Sequence, residues 1–251
     1  MSFVADSLTP IARHMLVWLS DAGWQAAIDA APAAHLAGLA LWRRHDWPVV
    51  VRRHDAHADA NAGAGAGAGT GPAAAADAAD ADADADVDEV CLGLPLPPDA
   101  VSGTKLRIAL RARTADVVRR TPPIALRDTL STAGVWRDGL AALCDAVPSL
   151  RVYGSLAMQS LTGLQYVSPT SDIDVLFEPS GRQQLDHALA LLTRYEELLP
   201  LDGEIVFPGG QAVSWKEWRM AMRHPAKVLV KDMQAVRLAD TASLLALLED
   251  R

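Results

Sequence analysis

The stretch Leu150-Arg-Val-Tyr-Gly-Ser155, followed after a spacer by Ser171-Asp-Ile-Asp-Val-Leu-Phe177, decides the fold. The first segment reads as a short strand delivering its end into Gly154-Ser155, with a helix expected from Leu156 to about Thr162. The second reads as a strand, Ile173 to Glu178, whose start carries Asp172 and Asp174. Aspartates at i and i+2 of a strand point to one face. Two carboxylates on one face can share a divalent metal, and a small Gly-Ser turn can receive phosphate. That is the minimum equipment for metal-assisted phosphoryl or nucleotidyl transfer.

Working outward, Gly181 to Leu198 has the spacing of an amphipathic helix, with Leu185, Leu189 and Leu192 on one side. Asp202 to Phe207 and Lys227 to Lys231 read as strands, and Thr241 to Leu248 as a last helix. Ile124 to Ala146 reads as one helix with Leu130, Val135, Leu140 and Leu143 as its apolar members. Pro122-Pro123 punctuates the chain ahead of it. Further upstream, Arg13 to Leu19 is apolar and strand- or helix-like. Residues 24–43 have helical spacing, while Trp47 to Arg53 and Val90 to Leu96 read as strands. Lys105 to Arg111 alternates basic and apolar residues, the period of a half-buried strand. The expected class is α+β (α/β): an N-terminal mixed α/β domain, residues 1–121, and a catalytic domain, residues 122–251. Residues 55–86 alternate Ala-Gly and then Ala-Asp, a composition that cannot build a core, so a disordered insertion is expected there.

Of 251 residues, half are hydrophobic, enough to bury a core. The longest apolar runs fall far short of a membrane span. The chain opens without a charged segment leading into an apolar one, so no signal peptide is expected and the reading is cytoplasmic. Cys91 and Cys144 are too few for a disulfide framework and lack metal-ligand spacing. The net charge of −8 is concentrated in residues 54–89, which hold nine acidic side chains and no Lys or Arg; removing the nine leaves 22 acidic against 23 basic residues. Between 105 and 120, Lys105, Arg107, Arg111, Arg113, Arg119 and Arg120 face only Asp116, a local balance that suits a polyphosphate ligand.

The chemistry is narrowed by what is missing from the sequence. No Gly-x-Ser-x-Gly elbow, no zinc-type histidine spacing and no P-loop lysine occur, so the nucleophile is expected to come from a substrate. Asp172 and Asp174 offer hard oxygen ligands of the kind Mg²⁺ takes together with substrate phosphates. A third carboxylate is sought on a neighbouring strand, where Asp202 and Glu204 are the candidates; Asp202 is preferred because it opens its strand. Ser155 offers an N–H and a hydroxyl at a helix N-terminus. Trp215 and Trp218 read as core rather than as a platform for a base.

The order Gly-Ser, spacer, Asp-x-Asp, later carboxylate resembles the nucleotidyltransferase superfold of polymerase beta, although sixteen residues between Ser155 and Asp172 make a longer spacer than is usual there. The chain from Tyr153 to Leu176 resembles more closely the malonate decarboxylase holo-acyl-carrier-protein synthases, the phosphoribosyl-dephospho-CoA transferases. Arg13-His-Met-Leu-Val-Trp-Leu, Trp47-Pro-Val-Val-Val-Arg-Arg, Asp202-Gly-Glu-Ile-Val, Ala212-Val-Ser-Trp-Lys-Glu-Trp and Val228-Leu-Val-Lys extend the likeness to both ends. The insertion departs from the pattern but lies outside every motif. The resemblance implies a polymerase-beta-like catalytic domain and a donor, 2′-(5″-triphosphoribosyl)-3′-dephospho-CoA. It implies transfer of the phosphoribosyl-dephospho-CoA unit to a serine of the apo acyl-carrier subunit of malonate decarboxylase, with release of pyrophosphate. Nucleic acid and membrane are not expected partners. By the same likeness Asp172 and Asp174, with Asp202, hold Mg²⁺, and Gly154-Ser155 cradles the leaving pyrophosphate. Lys231, Lys227, Arg52, Arg53, Lys105 and Arg107 are the candidate neutralising cations. Adenylyl transfer from ATP, and a carrier-binding module with a degenerate site, are the alternatives.

Overall fold

The computed structural model describes residues 10–54, 89–99 and 102–248; the insertion expected at 55–86 lies outside them. The first half builds a sheet covered by two helices. Its elements are β1 (Leu16–Leu19), α1 (Asp21–Asp29), α2 (Leu36–His45), β2 (Val49–Val51), β3 (Glu89–Pro95), β4 (Arg107–Arg113) and β5 (Val117–Thr121). The strands pair antiparallel in the order β4-β3-β2-β1-β5. The alternation expected from the basic stretch is present. Ile108, Leu110 and Ala112 of β4 are buried, while Arg107, Arg111 and Arg113 face out. Residues 24–43 form two helices rather than one, because the chain turns at Ala31-Pro32, where proline cannot continue a helix. α1 starts at Ser20, whose hydroxyl accepts from the Gly23 N–H at 3.0 Å.

The second half forms a seven-stranded mixed sheet. Its elements are β6 (Ile124–Ala125), α3 (Arg137–Ala146), β7 (Arg151–Tyr153), α4 (Gly154–Thr162), β8 (Ile173–Phe177), α5 (Arg182–Tyr195), β9 (Leu201–Phe207), β10 (Gln211–Ser214), α6 (Trp215–Arg223), β11 (Val228–Lys231), β12 (Val236–Ala239) and α7 (Thr241–Ala246). The strand order is β12-β11-β10-β9-β8-β7-β6, and β8 runs parallel to β9. The chain passes from one sheet to the other across Pro122-Pro123.

The single helix expected over 124–146 is not formed. Ile124–Ala125 pairs with β7, two 3₁₀ segments follow, and only Arg137–Ala146 is α-helical. Gly134 interrupts the run with φ +56°, and Val135, read as a core member, is 94% exposed. Leu140 and Leu143 are buried as expected. Leu185, Ala188 and Leu192 of α5 meet the same core, as do Trp215 and Trp218 of α6. The core of the first half takes Met158 and Tyr166 from the second, and the Tyr166 hydroxyl donates to the Pro95 carbonyl at 2.8 Å.

The parallel pair β8 and β9 sets the position of every acidic candidate. In its register Asp174 faces Asp202, Val175 faces Gly203 and Leu176 faces Glu204. Gly203 has φ +130°, and a Cβ there would lie 1.8 Å from the Val175 carbonyl oxygen. Backbone, not a movable side chain, occupies that space. Gly203→Ala is therefore expected to destabilise the protein by about 3 kcal/mol or more, the upper end for overpacking. A urea denaturation midpoint within error of wild type would contradict this close approach.

Candidate active site

The two sheets enclose a cavity of about 470 Å³. From the second half it is lined by Tyr153, Gly154, Ser155, Asp174 and Lys231; from the first by Arg13, His14, Arg52, Arg53, Lys105 and Arg107. Eight residues named from the sequence thus meet here: Gly154, Ser155, Asp174, Arg52, Arg53, Lys105, Arg107 and Lys231. Lys227 is exposed and is not among the lining residues, because it precedes β11 while Lys231 ends that strand. Asp172 and Asp202 are not among the cavity-lining residues, although Asp202 is paired with Asp174 across β8 and β9. Asp172 is exposed, one residue ahead of β8.

Gly154 joins β7 to α4 at φ +67°, and a Cβ at this position would lie 2.0 Å from Oδ2 of Asp174. The glycine lets the carboxylate sit against the start of the helix. Ser155 follows in the first turn of α4, and Lys105 Nζ donates to its hydroxyl at 3.3 Å. A backbone N–H terminus, a hydroxyl and several cations around one carboxylate form a site where phosphate oxygens find donors.

Burial pushes the Asp174 carboxyl up to about 6, with Asp202 and then Asp172 adding to the rise; Arg107 and Lys105 oppose it. Three carboxylates are crowded enough for one to resist ionisation, and a divalent cation would relieve that crowding. Among the described residues, however, no three His, Cys, Asp or Glu side chains form a ready-made metal cluster. The arrangement fits an ion that takes one or two carboxylates and completes its shell with water and substrate phosphate, as Mg²⁺ does.

Glu204 is committed elsewhere. Its carboxylate lies 3.1 Å from His14 Nε2, 3.2 Å from Arg13 Nη2 and 3.2 Å from Lys231 Nζ, with only 6% of its side chain exposed. Burial acts to raise its pKa, but the hydrogen bond and charge of His14, with Arg13 and Lys231, bring it down to about 2. Glu204 therefore serves as the centre of a cation cluster, and Asp202 is left as the carboxylate facing Asp174. The His14 ring also stacks on Tyr153 with centroids 4.0 Å apart. Burial raises the Tyr153 phenol, and Glu204, Asp174 and Asp202 add to the rise, so it stays neutral.

Arg13, His14 and Tyr153 received no role from the sequence. Two adjacent cationic side chains ahead of an apolar strand were a usable signal, as was an aromatic residue next to Gly154. A Cys-His contact was not legible either: Cys91 Sγ lies 3.6 Å from His54 Nδ1, and neither residue lines the cavity.

Comparison with known proteins assigns the chain. Residues 125–242 match the family described as the phosphoribosyl-dephospho-CoA transferase MdcG C-terminal domain, and residues 12–69 match the corresponding N-terminal domain. A phosphoribosyl-dephospho-CoA transferase of Bradyrhizobium diazoefficiens is 36% identical over 241 residues, 92% of this chain and 91% of its own length. One of Xanthomonas euvesicatoria is 36% identical over 240 residues, 92% of this chain and 95% of its own. No solved structure matches. The fold is of the α+β class, and the families and relatives that it matches are transferases. The chain belongs to the phosphoribosyl-dephospho-CoA transferase family.

Two stability measurements test the electrostatics. A carboxyl raised in the folded state penalises the ionised form, so stability without divalent cation should increase as pH falls through about 6 toward 3.8. Asp174→Asn is expected to remove that penalty at pH 7, raising stability by about 1 kcal/mol after allowance for solvent screening, or about 2–4 °C in melting temperature. An unchanged or lower melting temperature would contradict the crowding. For Glu204 the sign is opposite. The stability from its depressed pKa is present above the ordinary value of 4.5 and is lost as pH falls toward about 2. Glu204→Gln should cost about 3 kcal/mol at pH 7 by leaving Arg13 and Lys231 without their counterion. The gap from wild type should narrow between pH 4.5 and 2; a gap independent of pH would rule out ion pairing as its cause.

Proposed function

We propose that this chain transfers the phosphoribosyl-dephospho-CoA group from 2′-(5″-triphosphoribosyl)-3′-dephospho-CoA to a serine of the apo acyl-carrier subunit of malonate decarboxylase, in the cytoplasm. The observation that carries this reading is the placement of Asp174 against Gly154-Ser155, under the cations of the opposite sheet. Similarity along nearly the whole chain supports it. Among the described residues no helix is long and apolar enough to cross a membrane.

In this reading the carrier serine oxygen forms a bond to the phosphorus nearest the ribose. The bond from that phosphorus to the pyrophosphate oxygen breaks, pyrophosphate leaves, and the serine proton is released. In this reading the second half works as a nucleotidyltransferase. The Ser155 hydroxyl accepts from Lys105, so its own hydrogen is free to donate to a phosphate oxygen. The start of α4 presents backbone N–H groups, and Gly154 leaves the space beside them that the Asp174 carboxylate occupies. Lys105, Arg107, Arg52, Arg53 and Lys231 neutralise the polyphosphate from above. Asp174 with Asp172 or Asp202 would hold Mg²⁺, which when bound stabilises negative charge on the transferring and leaving oxygens. Tyr153 stays neutral and, with His14, closes the wall next to Asp174.

Incubation with apo carrier subunit, the triphosphoribosyl donor and Mg²⁺, read by intact mass, is expected to give one phosphoribosyl-dephospho-CoA adduct per serine. An AMP adduct from ATP would favour adenylyl transfer, and no adduct with either donor would refute the assignment. Asp172→Asn and Asp174→Asn are each expected to lower the transfer rate by a factor of about 100 or more while the protein stays folded. Near-wild-type rates in both would remove these carboxylates from the chemistry.

A further inference from the structure

The first sheet lines the cavity with apolar residues as well as cations. Leu16 of β1 lies directly opposite Val50 of β2, and Val50 directly opposite Gly93 of β3. Directly paired residues share a face of the sheet. All three line the cavity, together with Pro95 and, from the second half, Met158. Leu92 and Leu94, on either side of Gly93, point the other way into the core that holds Trp24, Leu39 and Trp42. On the cavity face of the first sheet Leu16, Val50, Gly93 and Pro95 therefore form an apolar shelf, lowest at Gly93 and bordered by Arg107 opposite Pro95 and by Arg52. A Cβ at Gly93 would meet nothing nearer than Arg52 Cδ and the Val50 carbonyl oxygen, both at 3.9 Å. A larger side chain would project over the shelf into open cavity.

We propose that this shelf is the binding site for the adenosine part of the donor, an inference that rests on the proposed function. The donor carries its triphosphoribose on the adenosine ribose, so adenine is the apolar group nearest to the reacting phosphates. The shelf lines the same cavity as Asp174 and Ser155, and Arg52 Cδ lies 3.9 Å from where a Gly93 Cβ would be. A cavity of about 470 Å³ sits in the lower half of the range for ligand sites and does not enclose the whole donor. Phosphates at the cationic end and a planar base on the shelf fill it, and the pantetheine arm runs out of it. Glycine at position 93 leaves a flat surface for the base, flanked by Leu16, Val50 and Pro95.

The test is direct binding to the full chain by calorimetry, with dephospho-CoA, adenosine 5′-diphosphate, 4′-phosphopantetheine and inorganic tripolyphosphate as probes. Wild type is expected to bind dephospho-CoA, with adenosine 5′-diphosphate competing and 4′-phosphopantetheine not. Gly93→Val suits a strand and should weaken dephospho-CoA about tenfold or more while leaving tripolyphosphate within about twofold. A folded Gly93→Val protein that binds dephospho-CoA like wild type would overturn the inference. So would competition by 4′-phosphopantetheine as strong as by adenosine 5′-diphosphate, a measurement on wild type that stands even if the variant does not fold. Wild type that binds dephospho-CoA on the shelf yet forms no carrier adduct would instead refute the transfer reading and leave the shelf in place.

Discussion

The carboxylate of Glu204 holds the two sheets in register with each other. It sits in β9 of the second sheet and receives Arg13 and His14 from the segment leading into β1 of the first, with Lys231 arriving from β11. Arg13 adds a hydrogen bond to the Lys231 carbonyl at 3.3 Å. Because the cavity lies between the sheets, its width depends on this cluster. Burying an ion pair gains little over apolar packing, whereas removing one member leaves the others uncompensated. Such a cluster serves relative position better than raw stability. His14 bears the cost locally: it is not glycine, yet its φ is +66°, held by its own N–H to the Val51 carbonyl at 2.9 Å.

The charges in the cavity are unevenly divided. The second sheet brings Asp174 and Lys231, and the first half brings five Arg and Lys side chains: Arg13 ahead of β1, Arg52 and Arg53 after β2, Lys105 ahead of β4 and Arg107 at its start. A polyphosphate bound between them would replace cation–cation repulsion by attraction and meet donors on both sides. Among the described residues Asp174 is the one acid on the cavity wall, and its resistance to ionisation follows first from its burial and then from the charges of Asp202 and Asp172.

Local pattern made the catalytic half legible. Asp-x-Asp at the head of a strand, Gly-Ser at a strand end and the leucines of α5 are all short-range signals, and each corresponds to an observed element. What could not be read are consequences of distance. Glu204 and Asp202 are equivalent as an i, i+2 pair; only the cations arriving from Arg13, His14 and Lys231, far away in sequence, separate their surroundings. Lys227 and Lys231 bracket one strand, and which end meets the cavity depends on β10 pairing beside it. Val135 has helical spacing with Leu140 and Leu143 only if the helix is continuous, and the turn at Gly134 breaks that phase. The pairing of Val50 with Gly93 joins residues on either side of a low-complexity stretch of sequence and could not be inferred from either side of it.

Gly203 places a different kind of restriction on this protein. The residue between Asp202 and Glu204 must be achiral, because the space where any L side chain would begin is filled by the Val175 carbonyl. Its two acidic neighbours have distinct duties on either side of one backbone crossing. A slip of β9 by one residue would put Asp202 or Glu204 where the glycine must be, and no side-chain rearrangement could accommodate it. The absence of a stereocentre at one position thus acts as a registration mark for the sheet. Drift in the surrounding sequence can change the hydrophobic packing freely, but it cannot move that mark.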